Sequence, residues 1–116
     1  MKNLLCIFMG GDRNLQDTFN SVNELTKVFT VKIFMTRAAT KIIGIERIKN
    51  EIKSVEIIAD DGTQVIDPFQ LSLWADVLVI PVLTLNGLTK IANLMPDTAQ
   101  TNITVGCLEK GIPVIV

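Results

Sequence analysis

The chain has 116 residues, 48% of them hydrophobic, with 11 basic and 12 acidic side chains and a formal net charge of −1. A chain of that length buries a real core without metals or disulfides, so one domain over residues 1–116 is expected. The near balance of charge, with no long run of either sign, leaves no electrostatic footprint for nucleic acid or an anionic membrane surface.

Met1-Lys2-Asn3 leads into an apolar run, Leu4 to Met9, that is too short for a signal peptide or a membrane span and is broken by Gly10-Gly11-Asp12-Arg13. Asn3–Met9 therefore reads as a central strand. Cys6 lies in this run and Cys107 in a distant helical segment, without a CxxC pair. Two buried thiols in a reducing cytoplasm are expected, and no metal site. After Gly10 and Gly11, Asp12 or Asn14 is placed to cap a helix whose apolar face carries Leu15, Phe19, Val22 and Leu25. Such a strand, glycine turn and helix unit either holds a phosphate or carboxylate on backbone N–H groups or is a tight turn that uses glycine for its backbone freedom.

Phe29–Met35 reads as a second strand, followed by Thr36-Arg37-Ala38-Ala39-Thr40, where a hydroxyl and a guanidinium could face the same ligand. Ile45, Ile48 and Ile52 give a short amphipathic helix with Glu46, Arg47, Lys49 and Glu51 as its solvated face. Ser54–Ala59 reads as a third strand. The Asp61-Gly62 step also suits a hairpin to Thr63–Ile66, and Asp60 with Asp61 suits a turn better than a magnesium site. Pro68 opens a helical turn through Trp74.

Val77–Val82 is a short run rich in β-branched residues, the pattern of a strand covered on both faces. Thr84, Asn86 and Gly87 then form a polar loop before Leu88, Ile91, Ala92 and Met95 recur at helical spacing. A last helix runs through Ile103, Val105, Cys107 and Leu108 to Lys110 and Gly111, and Pro113–Val116 reads as a strand in which the sequence stops. Because an α/β domain rarely ends inside a core strand, further residues beyond Val116 are expected. The alternation implies an α/β fold, a Rossmann-like parallel sheet between helical layers. Three loops, Gly10–Asn14, Thr36–Thr40 and Leu83–Gly87, then gather at one sheet edge with groups suited to a phosphorylated, planar cofactor.

Histidine and tyrosine are absent, so proton transfer would fall to Asp, Glu, Lys, Cys, the backbone or a cofactor.

Trp74-Ala75-Asp76-Val77-Leu78-Val79-Ile80, followed by Thr84-Leu85-Asn86-Gly87-Leu88-Thr89-Lys90-Ile91-Ala92-Asn93, resembles the flavoprotein family of phosphopantothenoylcysteine decarboxylase, the lantibiotic cysteine decarboxylases, the flavin prenyltransferases and the B subunit of dipicolinate synthase. Phe34-Met35-Thr36-Arg37-Ala38-Ala39 resembles its second-strand signature, T-x-x-A. Asp97-Thr98 and the segment from Cys107 to Val116 are most similar to the dipicolinate synthase B branch. The resemblance implies FMN as cofactor, with Gly10, Gly11, Asn14 and Thr36 around the phosphate and ribityl chain and Thr84 and Asn86 against the flavin. It also implies a homo-oligomer, a trimer or multiple of trimers.

Three departures accompany the matches. The cysteine decarboxylases carry a histidine eight residues before the WAD aspartate, where this chain has Pro68, which argues against peptidyl-cysteine decarboxylation. Asp12 would oppose a phosphate unless Arg13 offsets it. The family's proline falls one residue early, at Pro81. The resulting expectation is an FMN-binding flavoprotein, a redox or synthase-like subunit without decarboxylase chemistry. The alternatives are a non-catalytic assembly subunit of the same fold and, further off, a receiver-like signalling domain.

Overall fold

A computed structural model of the protein describes residues 1–11, 14–81 and 99–116. Its elements follow in the order β1 (Asn3–Phe8), α1 (Leu15–Leu25), β2 (Thr30–Met35), α2 (Arg37–Ile42), α3 (Ile45–Glu51), β3 (Glu56–Ala59), α4 (Pro68–Trp74), β4 (Val77–Val79), α5 (Ala99–Lys110) and β5 (Val114–Ile115). The five strands form one parallel sheet in the order β3-β2-β1-β4-β5.

Both faces of this sheet are covered at its centre, which is why β1 from Leu4 on and β4 are apolar rather than alternating with polar residues. Successive side chains of a strand point to opposite faces. Leu4, Cys6 and Phe8 of β1 thus join Ile33 and Met35 against Leu15, Phe19 and Val22 of α1, Ala39 of α2 and Ile48 of α3. Leu5, Ile7 and Met9 join Phe34, Leu78 and Ile80 on the other face, under Leu71 of α4 and Ile103 and Cys107 of α5. The result is a three-layer, Rossmann-like α/β fold.

Several local readings change. Thr36–Thr40, expected as a loop, is the cap and first turn of α2, with the Thr36 hydroxyl accepting the Ala39 N–H at 3.2 Å. The hairpin option at Asp61-Gly62 is not taken. β3 pairs in parallel with β2, and the Asp61 carboxylate instead accepts the Thr63 N–H at 2.9 Å and hydroxyl at 2.6 Å in a side-chain-closed turn. A receiver-like domain would have the strand order 2-1-3-4-5; the observed order reverses between β1 and β4 and overturns that reading.

α4 and α5 pack closely because Gly106 faces Ser72. A Cβ at position 106 would lie 2.7 Å from the Ser72 hydroxyl oxygen and 2.9 Å from its Cβ. The Lys110 ammonium closes the same contact, donating to the carbonyls of Leu73 at 2.7 Å and Ala75 at 2.8 Å, with Ser72 at 3.4 Å. These carbonyls end α4 without intrahelical partners, and a cation there also meets the negative end of the helix dipole.

Candidate functional site

In open parallel sheets the crevice for a ligand opens at the carboxyl ends of the strands, where the strand order reverses. Here that point lies between β1 and β4. The register sets Phe8 beside Met35 and Cys6 beside Val79, so the chain leaves β1, β2 and β4 at one edge of the sheet.

Gly10 takes φ +100, a left-handed conformation that side chains resist. It also lies hard against α2: a Cβ on Gly10 would stand 3.2 Å from the Ala38 Cβ and 3.3 Å from the Ala38 carbonyl carbon and the Ala39 nitrogen. The turn after β1 is thus seated on the amino end of α2. The Thr36 N–H fixes this arrangement by donating to the Phe8 carbonyl at 3.0 Å. Gly10, Gly11 and Thr36 are all partly exposed at this edge. Ala38, which the sequence reading passed over, is the surface on which the glycine turn rests.

Asn14 occupies the cap position of α1, but at φ 54 and ψ 37 it makes no side-chain cap hydrogen bond. A capping side chain normally works from an extended backbone, so the left-handed turn removes the role expected of it. Its carbonyl accepts the Thr18 N–H at 3.1 Å and the Thr18 hydroxyl at 3.3 Å. The Asn14 side chain therefore leaves the first N–H groups of α1 to other partners, next to the glycine turn.

The Arg37 guanidinium stands 3.6 Å from the carboxylate of Asp60, the residue after β3. Thr84 and Asn86 lie outside the described residues, so Gly10, Gly11, Asn14 and Thr36 are the expected site residues that the structure places. Asp76 of the WAD motif sits at the opposite edge. Its carboxylate accepts the Asn3 N–H at 2.8 Å while its own N–H donates to the Asn3 carbonyl at 2.8 Å, and the Asn3 carboxamide donates to the Trp74 carbonyl at 2.9 Å. Lys32 stands 4.3 Å from the centroid of the Trp74 ring. This part of the motif aligns β4 with β1.

Burial pushes the Cys6 thiol up from 9.0 to about 12 and raises that of Cys107 as well, partly offset by nearby Lys110. Both thiols are free and stay protonated at neutral pH, so neither serves as a base or nucleophile. Pro68 is the first residue of α4, behind the Asp67 cap that accepts the Gln70 N–H at 3.2 Å. A groove of about 450 Å³ runs between α4 and α5, lined by residues including Asp67, Phe69, Asn102 and Glu109; among the described residues, none of Gly10, Gly11, Asn14 and Thr36 lines it. Among the described residues no group of three His, Cys, Asp or Glu could hold a metal ion, and no helix is long and apolar enough to cross a membrane.

Solved structures share this architecture. Peptidyl-cysteine decarboxylase EpiD matches with a TM-score of 0.78 at 16% identity, over 99% of this chain and 69% of that one. The FMN-dependent cysteine decarboxylase SpaF matches with 0.78 at 22%, over 98% and 66%. HAL3 from Cryptococcus neoformans matches with 0.77 at 22%, over 98% and 68%. At these identities the likeness shows the fold, and the chain spans about two thirds of each of these structures. No curated protein matches the sequence. The Flavoprotein family model, however, matches residues 7–116, from within β1 to the last residue, and the chain belongs to that family.

Proposed function

We propose that the chain binds FMN at the carboxyl edge of the sheet, between β1 and β4. The observation that carries this reading is the amino end of α1. It follows a glycine turn braced on α2, and its cap residue contributes no side-chain hydrogen bond, the arrangement in which backbone N–H groups and the helix dipole receive a phosphate. Gly10 and Gly11 give the phosphate close access to the backbone, and Thr36 supplies a hydroxyl at the start of α2 whose proton is free to donate while its oxygen accepts from Ala39. Thr84 and Asn86 are proposed to lie against the ring, as the family motif implies. The family membership and the FMN-dependent SpaF support the same cofactor.

Bound FMN supplies redox chemistry at its ring. The protein's part is to hold the phosphate, orient the ring and keep water from one side of it. Without any histidine, and with both cysteines protonated in the core, the chain does not carry the cysteine decarboxylases' base. The proposed activity is that of a redox or synthase-like subunit in a homo-oligomer, with residues 1–116 acting as one flavoprotein-like domain in the cytoplasm.

The absence of a histidine also favours a second reading, a non-catalytic assembly subunit that keeps the fold without tightly bound flavin. Flavin content measured together with size-exclusion mass separates the two. The first predicts yellow protein that releases FMN on denaturation. Colourless protein that forms the oligomer and takes up no added FMN contradicts it.

A further inference from the structure

α4 and α5 lie side by side with their carboxyl ends together, because the Lys110 ammonium at the end of α5 donates to the carbonyls of Leu73 and Ala75 at the end of α4. Where the helices touch, the contact is between two small residues, Ser72 and Gly106. The outer side of that contact is therefore a trough. It is the groove of about 450 Å³, with Ser72 and Gly106 in its lining and Phe69 and Val105 beside them on the two helices. Phe69 is 66% exposed, and Leu73, one turn further along α4, is 50% exposed. An aromatic ring and a leucine at helical spacing, bordering a concave surface, form the kind of apolar patch at which another polypeptide docks.

The charges specify the chemistry of that polypeptide. Asp67 and Glu109 both line the groove and are both exposed, and none of its lining residues among those described is basic. Lys110, next to Glu109 in sequence, is committed to the α4 carbonyls. The two carboxylates stand at opposite ends. Asp67 precedes α4 on the side of Asn102, whereas Glu109 lies near the carboxyl end of α5 beside Lys110. The step from Asn102 to Glu109 spans about 10 Å of helix.

We propose that this groove docks a basic amphipathic helix of a partner protein. Side chains two turns apart on such a helix share one face and stand about 10 Å apart, so Lys or Arg at positions i and i+7 reach Asp67 and Glu109. Apolar residues between them, at i+3 and i+4, meet Phe69, Val105 and the small floor of Ser72 and Gly106. The apolar contact supplies affinity, and the carboxylate at each end fixes the register. The inference stands apart from the FMN reading, because none of Gly10, Gly11, Asn14 and Thr36 lines the groove.

The test uses the protein as purified and a fluorescein-labelled helical peptide with Lys at i and i+7 and Leu at i+3 and i+4, read by fluorescence anisotropy. A second peptide carries Glu in place of both Lys. The wild type is expected to bind the Lys peptide roughly fivefold or more tightly than the Glu peptide, with the difference shrinking as salt is raised. Glu109→Lys should lose most of that preference, and Phe69→Ser should weaken binding of the Lys peptide by roughly tenfold. Equal binding of the two peptides, no binding of the Lys peptide, or a Glu109→Lys protein with wild-type preference each overturns the inference. If Phe69→Ser changes the size-exclusion mass while the wild type ignores the Lys peptide, the face belongs to a second copy of this chain and the inference is likewise overturned. Should Phe69→Ser not fold, Glu109→Lys, at an exposed position, still decides. FMN uptake is measured separately, and its failure leaves this result standing.

Discussion

Replacing Gly10 by alanine tests the seating of the glycine turn on α2. The added Cβ meets two costs. At φ +100 it forces a left-handed conformation on a residue with a side chain, about 1–2 kcal/mol. It also stands 3.2 Å from the Ala38 Cβ and 3.3 Å from main-chain atoms of Ala38 and Ala39, and overpacking of that kind costs about 1–3 kcal/mol. Two of those three neighbours are backbone in the first turn of α2, which is tied to β1 by the hydrogen bond from Thr36 to Phe8. The turn has little room to give way. The expected loss is about 2–5 kcal/mol, measured by urea unfolding with the fluorescence of Trp74, the one tryptophan, as probe. Gly10→Ala combined with Ala38→Gly removes only the Cβ–Cβ contact, so recovery should be partial. A loss under about 0.5 kcal/mol for Gly10→Ala, within the range of ordinary surface substitutions, refutes the argument that the turn is braced on α2.

Three further predictions concern what holds the scaffold. Lys110→Met keeps the aliphatic stem but removes the ammonium from the carbonyls of Leu73 and Ala75, so it should cost about 1–2 kcal/mol in chemical unfolding, with Lys110→Arg recovering part of it. Asp76→Ala should cost about 1–3 kcal/mol by unpairing the Asn3 N–H, yet leave FMN affinity unchanged in a titration of the folded variant, because Asp76 lies at the other edge of the sheet. Stability should fall as pH rises from 9 toward 12. The unfolded chain then loses the Cys6 proton while the folded chain holds it until about 12, a slope of up to about 1.4 kcal/mol per pH unit that Cys6→Ala should flatten.

How much of this could be read from the sequence follows from what each residue contacts. Asn3–Met9 and the Val77–Val82 run, of which Val77–Val79 forms β4, announce themselves because strands covered on both faces are rich in apolar residues, and the alternation with amphipathic helices implies the parallel sheet. The glycine turn and Thr36 are legible because backbone freedom and capping hydroxyls are local needs with local signatures. The role of Asp76 is not local. It depends on Asn3, 73 positions away, so the sequence shows the WAD motif as a family signature but not that its aspartate joins two strands at the far edge. Gly106 looks like a weak point in a helix until α4 is seen against it, and the strand order that separates this fold from a receiver is a property of pairing alone. Asn14 shows the converse: its type suits a cap, but the left-handed backbone brought by the turn turns its side chain from that work.

The central claim is that the edge between β1 and β4 receives a flavin phosphate on the glycine turn and the amino ends of α1 and α2. It is tested most directly by the ratio of affinities for FMN and riboflavin, which differ only in that phosphate. Two or more charge-assisted hydrogen bonds at the helix ends predict FMN binding tighter by about 100-fold or more, with the ratio shrinking as salt is raised. Equal affinities, or no uptake of either flavin by the folded protein, would contradict the account.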